Sequence, residues 1–110
     1  MKLPNKNKAI VAREKLESYL LSPVHSVGRY KSVFFHSLGY TQDDWEVLAD
    51  DFRKLLDQEA KESEETENGK KYEIRGTITG PNGRSAAIIT AWVILLDEKV
   101  VRFVTAYPED

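Results

Sequence analysis

The chain has no cysteine among its 110 residues. That excludes a disulfide framework, a thiolate metal site and a thiol nucleophile together. Histidine is scarce as well, at two residues. With acids scattered rather than set at ligand spacing, no metal and no cofactor are expected. Long apolar runs are missing. The longest, Ala86 to Leu96, is interrupted by Thr90 and falls well short of the roughly 18 residues of a membrane-span candidate. The first residues, Met1-Lys2-Leu3-Pro4-Asn5-Lys6-Asn7-Lys8, carry charge with no hydrophobic region behind it. The expectation is a cytoplasmic protein with no membrane partner. No Walker loop, dinucleotide fingerprint or HExxH motif is present.

What is there is an ordinary soluble balance, 41% apolar and 31% charged in 12.6 kDa. One domain over residues 1–110 is expected, divided into a helical half (9–60), a flexible acidic linker (61–69) and a β-meander (70–108). The net charge of −2 conceals a division. Between Thr41 and Asn68, eleven acids face three bases, a net of −8, while the remainder carries +6. A segregated chain of this kind can present a basic face to a polyanion, or an acidic helix that is merely solvated.

Ala12 to Leu21 has the spacing of a helix, with Leu16, Tyr19 and Leu20 on one side. Ser22-Pro23 ends it, because proline lacks the donor that a continuing helix needs. A second helix is predicted from near Val24–Ser26 to Leu38, with Gly39 in the left-handed position beyond its end. Gly28 early in that helix marks a close backbone approach. Thr41 and Asp44 form a capping arrangement, and Trp45, Leu48, Phe52, Leu55 and Leu56 stripe a third helix ending near Ala60. After Gly69 the period changes to two. Lys70–Thr79, Arg84–Leu96 and Val100–Tyr107 read as strands, the first two joined through Gly80-Pro81-Asn82-Gly83. The middle strand is apolar on both faces, which suits cover from each side, a partner chain included. Strand parity groups Val101, Phe103, Thr105 and Tyr107 on one face of the last strand. The predicted class is α+β: two to three helices, then a three- or four-stranded antiparallel meander.

The densest polar cluster is Ser22 to Lys31, followed by His36. His25 and Arg29, four apart on the second helix, would share a face and bind phosphate at its N-terminus. Histidine also serves as an acid or base near neutral pH. The blander alternative makes His25 a loop cap and pairs Arg29 with a carboxylate of the third helix. His36, beside two phenylalanines, is expected to be packed or solvent-facing. On the sheet, Thr90 and Trp92 share one face, and Arg75 and Arg102 are cationic candidates. A small-molecule pocket lined by Trp92 and Tyr107 is a third option.

The succession Leu3-Pro4-Asn5, Ser22-Pro23-Val24-His25, Gly28-Arg29, Lys31 and Leu38-Gly39-Tyr40 resembles an uncharacterised bacterial domain-of-unknown-function family common in cyanobacteria. Gly80-Pro81-Asn82-Gly83-Arg84, Thr90-Ala91-Trp92 and Val104-Thr105-Ala106-Tyr107-Pro108 extend the likeness over residues 3–108. Ser26 stands where that family often has proline, and Ala91 where valine is common. A more distant, fold-level likeness is to the barnase–EndoU–colicin–RelE group of metal-independent ribonucleases. In that group His, Arg, Lys, Thr and Tyr side chains around a sheet activate the RNA 2′-hydroxyl. The resemblance implies His25, Arg29, Thr105 and Tyr107 as catalytic candidates, with Lys31, Arg84 and Arg102 binding substrate.

The functional expectation is therefore an RNA-directed, toxin-like ribonuclease. The alternative is a non-enzymatic interaction module or small homodimer that meets a protein partner.

Overall fold

The period-two stretch after Gly69 forms the centre of a four-stranded antiparallel meander in the computed structural model, which describes residues 1–4 and 6–109. Strands β1 (Ala60–Thr66), β2 (Gly69–Thr79), β3 (Ser85–Leu95) and β4 (Val101–Pro108) lie side by side in that order. Asn5 and Asp110 fall outside the described residues, so the Leu3-Pro4-Asn5 run is described only in part. Three helices precede the sheet. They are α1 (Arg13–Lys15), widening into a π-type turn over Leu16–Leu20; α2 (Gly28–Ser37); and α3 (Trp45–Lys54), tightening at Leu55–Asp57. The class is α+β with the helices first, as the patterning implied.

The core lies between the helices and one sheet face. Ile74, Ile78, Ile88, Trp92, Val101 and Phe103 are buried from the sheet side, and Leu16, Leu20, Phe35, Leu48 and Phe52 from the helical side. Phe52 stacks on Phe103 at 4.8 Å, and Trp92 meets Phe103 edge-on at 5.4 Å. Each such side chain contributes about 1.5–3 kcal/mol when fully buried. Thr90 is the polar member of this face, and it is satisfied. Its hydroxyl donates to the Ile74 carbonyl at 3.2 Å and accepts the Trp92 indole N–H at 2.8 Å. Trp92 is thus a fully buried core residue, on the opposite sheet face from Tyr107, so the two do not share a pocket wall.

Residues 61–69 correct the expected linker. They supply most of β1 and its two-residue turn into β2, with Thr66 opposite Gly69. Six of the seven β1 residues are exposed, so no apolar alternation marks the strand. Backbone pairing with β2 holds it, with Lys70 on Glu62 at 3.4 Å and Lys71 on Glu64 at 3.7 Å. Charge on such an edge also discourages pairing with a foreign strand.

The opposite edge is capped differently. Ile10 pairs in parallel with β4, its N–H donating to the Val101 carbonyl and its carbonyl accepting from Phe103. Within β4 the expected parity fails at one residue. Ala91 faces Thr105 but Trp92 faces Phe103, which leaves Val104 as a bulge. The extra residue reverses the alternation, so Phe103 and Ala106 are buried while Thr105 and Tyr107 turn to the far face. There they join Glu73 and Arg75.

Candidate functional site

Ser22 accepts the N–H groups of Val24 at 3.3 Å and His25 at 3.2 Å, which turns the chain after Leu21. The His25 ring then caps α2. Its Nδ1 accepts from the N–H groups of Val27 at 3.0 Å and Gly28 at 2.9 Å. A nitrogen that accepts twice carries no proton, so in the neutral ring the hydrogen sits on Nε2. The loop-cap reading of His25 is correct, and His25 precedes the helix instead of sharing a face with Arg29. Gly28 is required by close approach: a Cβ there would stand 1.9 Å from the Tyr19 carbonyl oxygen.

That approach lays the first turn of α2 against Tyr19 and brings Lys31 to the edge of β4. The Lys31 ammonium donates to Tyr19 Oη at 2.9 Å and to Thr105 Oγ1 at 3.0 Å. Tyr19 and Thr105 bond to each other at 3.2 Å, closing a triangle of polar atoms. His25 packs edge-on against the Tyr19 ring at 5.0 Å, and the Lys31 ammonium lies 5.9 Å from the Tyr107 ring centre. The Tyr107 hydroxyl donates to Glu73 at 2.8 Å.

Beside the triangle opens a cleft of about 610 Å³. Glu14, Lys15, Ser18 and Tyr19 form one wall, His25 and Val27 the next, and Val104 and Thr105 line β4. Tyr19 is electrostatically tuned. Burial pushes its phenol up, but hydrogen bonds from Lys31 and Thr105 and the charges of Lys31 and Lys15 outweigh that. The net result lies below the ordinary 10.0. Tyr107 is moved the other way: its bond to Glu73, burial and the Glu73 charge raise it, with Arg75 opposing.

Of the residues expected from sequence, His25, Lys31, Thr105 and Tyr107 therefore meet, and three arginines do not. Arg29 stacks on its neighbour Tyr30 and donates to that hydroxyl at 2.8 Å, with no carboxylate of α3 on it. Arg102 forms a two-pronged pair with Glu98 at 2.7 and 3.0 Å. Arg84 follows the β2–β3 turn, whose Asn82 bonds to Ser37 and Leu38 at the far end of α2. From Ser85 to Ala91, which faces Thr105, is roughly 20 Å along an extended strand. His36 is structural. Its ring nitrogens stand 2.8 Å from the Tyr40 carbonyl and 2.9 Å from that of Leu21, pinning the end of α2.

Tyr19 and Glu73 escaped the sequence reading. Tyr19 sat in the apolar stripe of the first helix, and nothing in its spacing separates a core ring from one whose hydroxyl reaches a cleft.

With the geometry in view, comparison with known proteins adds a family and a fold. The family described as a domain of unknown function (DUF6883) matches residues 2–110. The chain belongs to this family. No match is found among curated proteins. Among solved structures, a chain of the "contact-dependent growth inhibition toxin - immunity protein complex" from Klebsiella pneumoniae 342 is similar at 17% identity and a TM-score of 0.72. The match covers 92% of this chain and 100% of that one. At this identity the likeness is one of fold.

Chemically, the cluster offers a cation, a hydroxyl and an acidified phenol within one hydrogen-bonded triangle, with an imidazole N–H at the rim. Such a set has the chemistry to hold an anion and to pass a proton. Among the described residues no group of three or more His, Asp or Glu side chains is placed to hold a metal ion. No helix of the described chain is long and apolar enough to cross a membrane.

Proposed function

We propose that this chain is a toxin-type ribonuclease domain that cleaves RNA at the Tyr19–Lys31–Thr105 triangle. The observation that carries this reading is the Lys31 ammonium bonded to both the Tyr19 phenol and the Thr105 hydroxyl. The fold of the growth-inhibition complex supports a toxin-related role, and the distant likeness to small ribonucleases supports RNA as substrate.

The chemistry is a transfer within the RNA strand. The 2′-oxygen attacks the adjacent phosphorus and its proton passes to the Tyr19 phenolate, the form that Lys31 favours. The bond to the 5′-oxygen breaks, and that oxygen takes a proton from the Lys31 ammonium. The products are a 2′,3′-cyclic phosphate and a 5′-hydroxyl. Tyr19 then returns its proton to the Lys31 amine along their 2.9 Å bond. Thr105 and the Nε2–H of His25 donate to phosphoryl oxygens as charge develops, the role in which fixed donors are most effective. Tyr107, tied to Glu73, positions the ammonium from below.

The direct test incubates the protein with transfer RNA and bulk cellular RNA in EDTA, with Lys31→Met and Tyr19→Phe as controls. Cleavage lost in both variants supports the site. Cleavage unchanged in both, or no cleavage by the unaltered protein, sinks it. In the latter case the rival reading, a module that only binds another protein, takes over; Val24 and Val33 on the α2 side favour it by their exposure.

A further inference from the structure

Beyond the cleft, α2 carries a feature that the cleavage chemistry does not use. Its outward side presents Tyr30, which is 71% exposed. The Arg29 guanidinium lies over that ring at 4.7 Å and is fastened to its hydroxyl at 2.8 Å. Arg29 makes no ion pair among the described residues. The surrounding sequence is depleted of acids: none occurs from Ser18 to Gln42, between Glu17 and Asp43. Val27, three residues before Tyr30 and hence on the adjacent part of the same helical side, lines the cleft.

We infer that Tyr30 and Arg29 form a stacking platform for an unpaired RNA base next to the cleavage cleft. An exposed aromatic ring with an attached guanidinium offers two flat, electron-rich and electron-poor surfaces. Stacking on them tolerates any base, and the cation meets the neighbouring phosphate. A base inside a duplex has its faces covered by its neighbours and is not available to the ring. The platform therefore selects single-stranded or looped RNA. A protein partner is the competing occupant, since Val24 and Val33 are exposed nearby. Burying this surface against apolar protein would strip water from an unpaired guanidinium, whereas a phosphate keeps it paired.

This inference rests on RNA being the substrate of the cleft, and the test separates the two claims. Binding is measured by fluorescence anisotropy with a labelled 2′-O-methyl single strand, which lacks the attacking hydroxyl, and with its blunt duplex. Tyr30→Ala is expected to weaken single-strand binding about tenfold, and Tyr30→Phe to leave it within about twofold. Arg29→Ala should also lower the dependence on salt by roughly 0.7 in slope, one phosphate contact on a single strand. In cleavage assays Tyr30→Ala should raise KM and spare kcat, because the platform does not touch the reacting atoms. Circular dichroism confirms that each variant is folded. Equal binding by Tyr30→Ala and the unaltered protein overturns the platform even where cleavage is seen. Tyr30-dependent single-strand binding without any cleavage sustains it and sinks the ribonuclease. Absence of binding to either RNA form overturns both and leaves this face to a protein partner.

Discussion

Lys31 and Thr105 stand 74 positions apart in sequence and 3.0 Å apart at their polar atoms. Two local features make that meeting possible. The absence of a Cβ at Gly28 lets α2 press against the Tyr19 carbonyl, and the Val104 bulge turns Thr105 away from the core.

Gly28→Ala is expected to cost about 1–3 kcal/mol, the usual range for forcing an extra carbon into a filled site. The clash is with backbone, which yields poorly. Urea denaturation should show a lower midpoint at unchanged slope, and cleavage should fall further than stability alone explains.

The two roles of the His25 ring separate by substitution. His25→Ala removes the acceptor of the Val27 and Gly28 N–H groups and should cost about 1 kcal/mol. His25→Asn restores an acceptor for the helix start but has no Nε2–H. Thermal melts should place the asparagine variant near the unaltered protein, with RNA cleavage down about tenfold or more in both variants. Full activity in His25→Asn would limit His25 to capping.

Alkaline titration should resolve three tyrosines with opposite linkage. The lowered Tyr19 value means that folding favours its phenolate. Its stabilising contribution is complete above the unfolded value of 10.0 and is lost as pH falls through the folded value. Tyr40, raised by burial and by its bond to Asp51, and Tyr107, raised through Glu73, act in reverse. Their contributions are complete below 10.0 and disappear as pH rises through the folded values. Phenolate absorbance should lose its low-pH shoulder in Tyr19→Phe and its high-pH tail in Tyr40→Phe. Lys31→Met should shift the Tyr19 signal upward.

Thr90→Val keeps shape and removes a hydroxyl that serves both Trp92 and the Ile74 carbonyl. Leaving the buried indole N–H unpaired should cost about 1–3 kcal/mol. Cleavage per folded molecule should not change, since Thr90 is buried in the core and its hydroxyl bonds only to Ile74 and Trp92, away from the site at the edge of β4.

Much of the fold is legible along the chain. Leu16, Tyr19 and Leu20, and then Trp45, Leu48 and Phe52, repeat at helical spacing, and Tyr72, Ile74 and Ile78 alternate. The turn at Gly80–Gly83 and the left-handed Gly39, with φ of 96°, follow from residue type alone. β1 is illegible for a physical reason: both of its faces are wet, so burial imposes no pattern on it. The site is half legible. His25, Lys31, Thr105 and Tyr107 are recognisable as polar residues worth weighing, and their separation in the chain hides which of them meet.

The sequence by itself determined the class, helices then a meander, because burying one face of each element leaves a periodic record in the residues. It also determined the separation of charge and the absence of thiol chemistry. Only the tertiary structure decided that Arg84 and Arg102 stay out of the cleft and that Arg29 turns onto Tyr30 beside it. It likewise decided that Tyr19 belongs to the cleft and that one extra residue at Val104 puts Thr105 within reach of Lys31. Those outcomes depend on register and on the close approach of distant segments. A one-residue shift in a strand reverses every side chain beyond it, and composition carries no trace of where that shift falls.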